Sequence, residues 1–127
     1  MRTSLRRWMA AFVAAAVAVP LMAWADKTYR PEQEIGAWTQ VLSERVVKTI
    51  TVEVVRTAAS QKDTFLNAAF GDGLAFENAQ RKPVPAGDKP SKIVWTVNAK
   101  PNGKELRILS HHGKCKLISV AVDYKKD

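Results

Sequence analysis

The chain holds a single cysteine, Cys115, in 127 residues. No internal disulfide can form, so stability has to come from packing rather than from the bridges common in small exported domains. The lone thiol also excludes a Cys-x-x-Cys redox centre and c-type haem attachment. Methionine is scarce, and all three copies (Met1, Met9 and Met22) fall within the first 25 residues. Histidine is limited to the adjacent pair His111 and His112. Long apolar runs are missing from the chain with one exception, at its start.

That exception is Trp8 to Ala25, preceded by Arg2, Arg6 and Arg7 and ending in the small-x-small sequence Ala23-Trp24-Ala25. A charged start, an apolar stretch and small residues at the end are the layout of a secretory signal peptide. An uncleaved membrane anchor is the alternative, since the run is at the short edge of a spanning helix. The Arg6-Arg7 pair matches a twin-arginine leader in part. The expected organisation is therefore a cleaved leader over residues 1–25 and one small domain over 26–127, periplasmic or secreted. Without the leader the chain has no methionine, which removes the soft thioether ligand typical of copper carriers.

Charge is unevenly placed. Residues 26–127 carry 17 basic and 12 acidic side chains. Residues 26–80 hold six basic against eight acidic, whereas residues 81–127 hold eleven against four. Lys and Arg in the second part are scattered singly, which suits a solvated surface or a site for an anionic partner. No basic and aromatic residues interleave in a nucleic-acid-binding order, and export argues against such a partner.

Pattern reading gives an α+β fold. Ile35, Trp38, Val41, Leu42 and Val46 recur at helical spacing after Pro31, Glu32 and Glu34, which predicts an amphipathic helix over 32–46. Gly36 weakens it by about 1 kcal/mol relative to alanine. Over residues 49–56, Ile50, Val52 and Val54 alternate with polar residues and predict a strand. A continuation of the helix to Ala59 is the competing reading. Phe65, Leu66, Ala69 and Phe70 fit a short helix capped by Asp63. Residues 81–91, rich in proline, read as a loop.

The last third predicts a three-stranded antiparallel meander of residues 93–99, 106–111 and 115–124. Its turns are Pro101-Asn102-Gly103 and His112-Gly113-Lys114. The sheet has about four strands in all. Ile93, Trp95, Val97, Leu109 and Leu117 then form a second apolar face that helices, the 49–56 strand or another molecule must cover. A helix followed by such a sheet broadly looks like the cystatin or NTF2-like layout, from which no function follows.

Three functional readings follow. The first is a non-enzymatic binding or accessory protein, with Lys92, Lys104, Arg107, Lys114 and Lys116 facing a protein or an anionic envelope component, peripheral to the membrane. A homodimer through the second sheet face or Cys115 fits this reading. The second is a copper- or zinc-binding accessory protein. A three-residue turn at 112–114 places His111 opposite Cys115, with Cβ atoms about 5 Å apart, so that one ion bridges imidazole and thiolate. Other ligands would have to be carboxylates or come from a second subunit. The third is an enzyme. Asp63, Asp72 and Glu77 offer carboxylates and His111 a base for Cys115, but no converging motif supports either. No resident cofactor is expected in the first reading.

Overall fold

Strand β4 (Val47–Phe70) sets the architecture. Val47, Ile50, Val52 and Val54 are fully buried in its first part, and Leu66, Ala68 and Phe70 in its second. Between them the alternation of inward and outward residues breaks down. The computed structural model describes residues 25–71 and 81–126. The expected leader lies outside the described residues, as do Asp72, Phe76 and Glu77.

Among the described residues seven strands form one sheet: β1 (Lys27–Tyr29), β2 (Gln33–Ile35), β3 (Ala37–Gln40), β4, β5 (Lys82–Pro83), β6 (Ser91–Ala99) and β7 (Leu106–Tyr124). Every pairing is antiparallel. β4 and β7 pair from Val47↔Tyr124 to Phe70↔Leu106, with the ladder interrupted between Arg56 and Phe65. On the far side of β4 lie β6 and β5. On the far side of β7 lie β1, β2 and β3, end to end.

The long β4–β7 ribbon folds over on itself. Tyr29 lies beside Val120 and Trp38 beside Ile108, twelve residues apart on β7, or about 40 Å of straight strand. Their rings are nevertheless 5.8 Å apart. Similarly, Lys82 and Trp95 pair with Leu66 and Ile50 of β4, yet the Lys82 Nζ is 5.9 Å from the Trp95 ring. The fold-over makes two leaves. The first holds Val47–Arg56, Cys115–Tyr124, β6, β1 and β2. The second holds Phe65–Phe70, Leu106–His111, β3 and β5. One core lies between them, including Trp95, Phe70, Ile50, Leu66, Ile108, Leu117 and Val120.

The bend has a definite construction. From Arg56↔Cys115 to Phe65↔His111, β4 advances nine residues while β7 advances four, so β4 bulges. Side chains take over where the ladder stops. Thr57 N–H donates to Ser60 Oγ (2.9 Å), and Gln61 N–H to Thr64 Oγ1 (2.7 Å). The Arg56 guanidinium donates from Nε and Nη2 to the Val84 carbonyl, at 3.0 and 2.7 Å. On β7 the bend uses left-handed backbone at His112 (φ 65°) and Gly113 (φ 116°).

The structure corrects the α+β expectation: among the described residues there is no helix, and 69% are in strands. The 32–46 helix is replaced by β2 and β3. The helical stripe does not hold together, because Val41 is 71% exposed while Ile35 and Leu42 are buried. Backbone bonds to the edge of β7 outcompete a helix, and Gly36 carries the segment round the bend, its carbonyl accepting Ser110 N–H at 2.8 Å. The Asp63-capped helix is likewise strand, since pairing with β7 overrides local spacing. The strand over 49–56 is observed.

The meander is also corrected. β6 pairs with β4, not with β7. The Pro101–Gly103 turn does form, with Lys104 N–H on the Pro101 carbonyl at 3.0 Å and positive φ at Asn102 and Gly103. It carries the chain from the first leaf to the second rather than closing a hairpin. Residues 112–114 are the bend within one strand, and positive φ serves a bend as well as a turn. No open Trp95 face exists, because Trp95 is 1% exposed and packs against the second leaf. The cystatin or NTF2-like layout is accordingly not observed.

Candidate functional site

The five basic residues singled out from sequence do not converge. Lys92 sits on the outer face of the first leaf opposite Glu53, and Lys116 is on the same face opposite Glu34 and Val55. Lys114 is exposed at the bend. Lys104 lies at the other end of the molecule, in the leaf-to-leaf turn. Arg107 is on the outer face of the second leaf, where Nη1 donates to the Gly71 carbonyl at 2.9 Å.

The expected opposition of His111 and Cys115 is not observed. His111 lies opposite Phe65 and Cys115 opposite Arg56, on a single strand. Cys115 is fully buried in the core, with Sγ 3.7 Å from Ser110 Oγ. Burial pushes its thiol above the ordinary value, helped by the charge of Glu34 and opposed by the Ser110 hydrogen bond. Among the described residues no three His, Cys, Asp or Glu side chains are grouped to hold a metal ion.

A different grouping emerges on the outer face of the second leaf. Residues directly opposite in an antiparallel pair share a face. The register Phe65↔His111, Asn67↔Leu109 and Ala69↔Arg107 therefore stacks three rows across β4 and β7. β3 extends the lower two rows with Ala37 and Thr39, and β5 adds Pro83 beside Phe65. Asn67 is the diagonal neighbour of both His111 and Arg107, about 7 Å away in each case.

Three atoms of this face stand out: Asn67 Oδ1, Arg107 Nε and His111 Nε2. Each is buried and has no hydrogen-bond partner. Such groups are rare in folded proteins and are costly unless water or a ligand completes them. Desolvation lowers the affinity of His111 for a proton, and the charges of Arg81 and His112 lower it further. A neutral imidazole has one donor and one acceptor nitrogen. The face thus offers a guanidinium donor, an amide acceptor and an imidazole beside an aromatic ring. Phe65 is half-buried, and His112 meets its ring edge-on at 6.0 Å between centroids.

Sequence reasoning singled out Arg107 and His111 but for other roles, and it missed Asn67 and Phe65. The usable signal was alternation. Leu66, Ala68 and Phe70 form one face, which leaves Phe65, Asn67 and Ala69 on the other.

Among solved structures, the fold is similar to a carbohydrate-binding module from a family 9 glycoside hydrolase (Cel9A) of Ruminococcus flavefaciens FD-1. The TM-score is 0.51 at 9% identity, over 78% of this chain and 97% of that one. It is also similar to the C-terminal domain of EclA, a sugar-binding protein, with a TM-score of 0.50 at 13% identity, over 80% of this chain and 74% of that one. At these identities the likeness is one of fold. It is consistent with a non-enzymatic binding protein. No protein-family model and no curated protein matches the sequence.

Proposed function

We propose that this protein is a non-enzymatic carbohydrate-binding protein that takes its sugar on the outer face of the second leaf. The observation that carries this reading is the presence of three unpartnered polar atoms, on Asn67, Arg107 and His111, in successive rows of one face, with Phe65 beside His111 in the first row. A pyranose presents hydroxyls that donate and accept in adjacent pairs and a C–H face that packs on an aromatic ring. The guanidinium and amide supply planar donors and acceptors for the hydroxyls. Phe65 supplies the apolar contact. The names of the two structural neighbours support the same ligand class. The basic, apolar and small-residue layout of residues 1–25 supports export, which places the sugar in the cell envelope or outside it.

The test is binding of the purified 26–127 domain to a glycan array, followed by calorimetry on the best ligand. Asn67→Ala and His111→Ala are each expected to weaken binding roughly tenfold, the effect of losing about 1.4 kcal/mol of hydrogen bonding. Melting temperatures should change little, since neither atom has an internal partner to lose. Affinity unchanged in both variants would sink the proposal, as would an array with no ligand.

A further inference from the structure

A second site lies at the end of the molecule opposite the bend. Val47 pairs with Ala99 of β6 and with Tyr124 of β7, so three strand ends meet there. Lys125 N–H donates to the Val46 carbonyl at 2.8 Å and ties the last residues of β7 to the start of β4. This brings Arg45, Lys48, Lys100, Lys125 and Lys126 together from three parts of the sequence. They line two adjoining depressions of about 290 and 360 Å³, and Lys125 and Lys126 form the wall common to both.

The charge is cancelled only in part: three carboxylates face five cations, and Arg45 and Lys126 both act on Asp26. Glu44 and Asp123 are the acids of the lining, and Asp26 lies nearby. Glu44 accepts Gly103 N–H at 2.8 Å, and Asp26 accepts Tyr124 N–H at 2.7 Å, so both are committed to backbone donors. Lys48, Lys100, Lys125 and Lys126 are exposed. The Arg45 guanidinium carbon lies over the Tyr124 ring, 4.8 Å from its centroid, a contact that orders the guanidinium.

We propose that this basic end binds the carboxylate groups of an acidic polysaccharide. Five cations spread over three adjacent strand ends, about 10 Å across, suit a chain with repeated charges better than one small anion. Nucleic acid is disfavoured because Tyr124, the aromatic ring of the site, is buried beneath Arg45 and unavailable to a base. A lipid surface is disfavoured because, among the described residues, the exposed large hydrophobic side chains, Val41 and Val94, lie outside both depressions. The choice of a sugar polymer rests on the carbohydrate reading, whereas the basic end itself does not.

The test compares polygalacturonate with its fully methyl-esterified form, which has the same backbone without the charge. Wild-type protein is expected to bind the acid form roughly tenfold more tightly at about 50 mM salt, with the advantage gone near 0.5 M. Replacing Lys125→Glu together with Lys126→Glu should abolish the preference. Because both side chains are exposed, the melting temperature should be retained. Lys48→Glu with Lys100→Glu is the second variant should the first fail to fold. Equal affinity for the two polymers would overturn the proposal, as would a preference that survives both double variants, or tighter binding to duplex DNA or anionic phospholipid vesicles. Neutral-sugar binding that depends on Asn67 would stand apart from any of these results, so failure here and failure of the carbohydrate reading are distinguishable.

Discussion

Cys115 shows how burial decides the chemistry of a side chain. In an oxidising compartment an exposed thiol would oxidise or pair with another chain. This one is fully buried, and desolvation raises its affinity for the proton. The thiolate, which is the reactive form, is therefore suppressed. Disulfide-exchange reagents should modify native protein only as fast as it opens, and Cys115 should react at once in denaturant. Rapid labelling of the native state would contradict the buried placement. The sign of the pH dependence follows from the raised folded value. The stabilising contribution of the neutral thiol is complete below the ordinary value of 9.0. Above it, the unfolded chain releases the proton first and stability falls as pH rises.

Among the elements, the bend in β7 is the most demanding. Gly113 has φ +116°, and a Cβ there would lie 2.6 Å from the Ala59 carbonyl oxygen. Gly113→Ala is expected to cost about 2–3 kcal/mol, read from denaturant unfolding, because strained backbone and backbone contact combine. A cost under about 0.5 kcal/mol, typical of an unconstrained surface site, would show that the bend relaxes freely. This element also shows the limit of the sequence. His112-Gly113-Lys114 was legible as a turn, but a hairpin turn and a fold-over of one strand make the same local demand. The strand segments at 49–56, 93–99, 106–111 and 115–124 were legible, although the last two are one strand, β7. β2 and β3 were not, because Ile35, Trp38 and Leu42 fit helical spacing, and their pairing with β7 is set by residues some 70 positions away. The candidate site was half legible for the same reason. Arg107 and His111 drew notice as chemical groups, but Asn67 joins them only through a register that the sequence does not display.

Taken whole, the molecule is built from distant contacts. Val47 meets Tyr124 across 77 residues, and β6 reaches its place beside β4 only after the chain has turned back. Loop closure must precede the gain from such pairings, so refolding is expected on the millisecond-to-second scale typical of non-local β proteins. Stopped-flow fluorescence of the buried Trp95 measures it, and a microsecond phase accounting for the whole amplitude would contradict this topology.

The segment from Lys27 to Gln40 was introduced as three short strands, but together they border β7 in both leaves. β7 without them would present its free N–H and C=O groups as an open template for another chain. Asp26 extends the cover by accepting Tyr124 N–H. Removal of the leader after Ala25 would spare this seam, whereas a cut a few residues later would begin to unzip it. A chain cut within β1 is therefore expected to aggregate, and one cut after Ala25 is not.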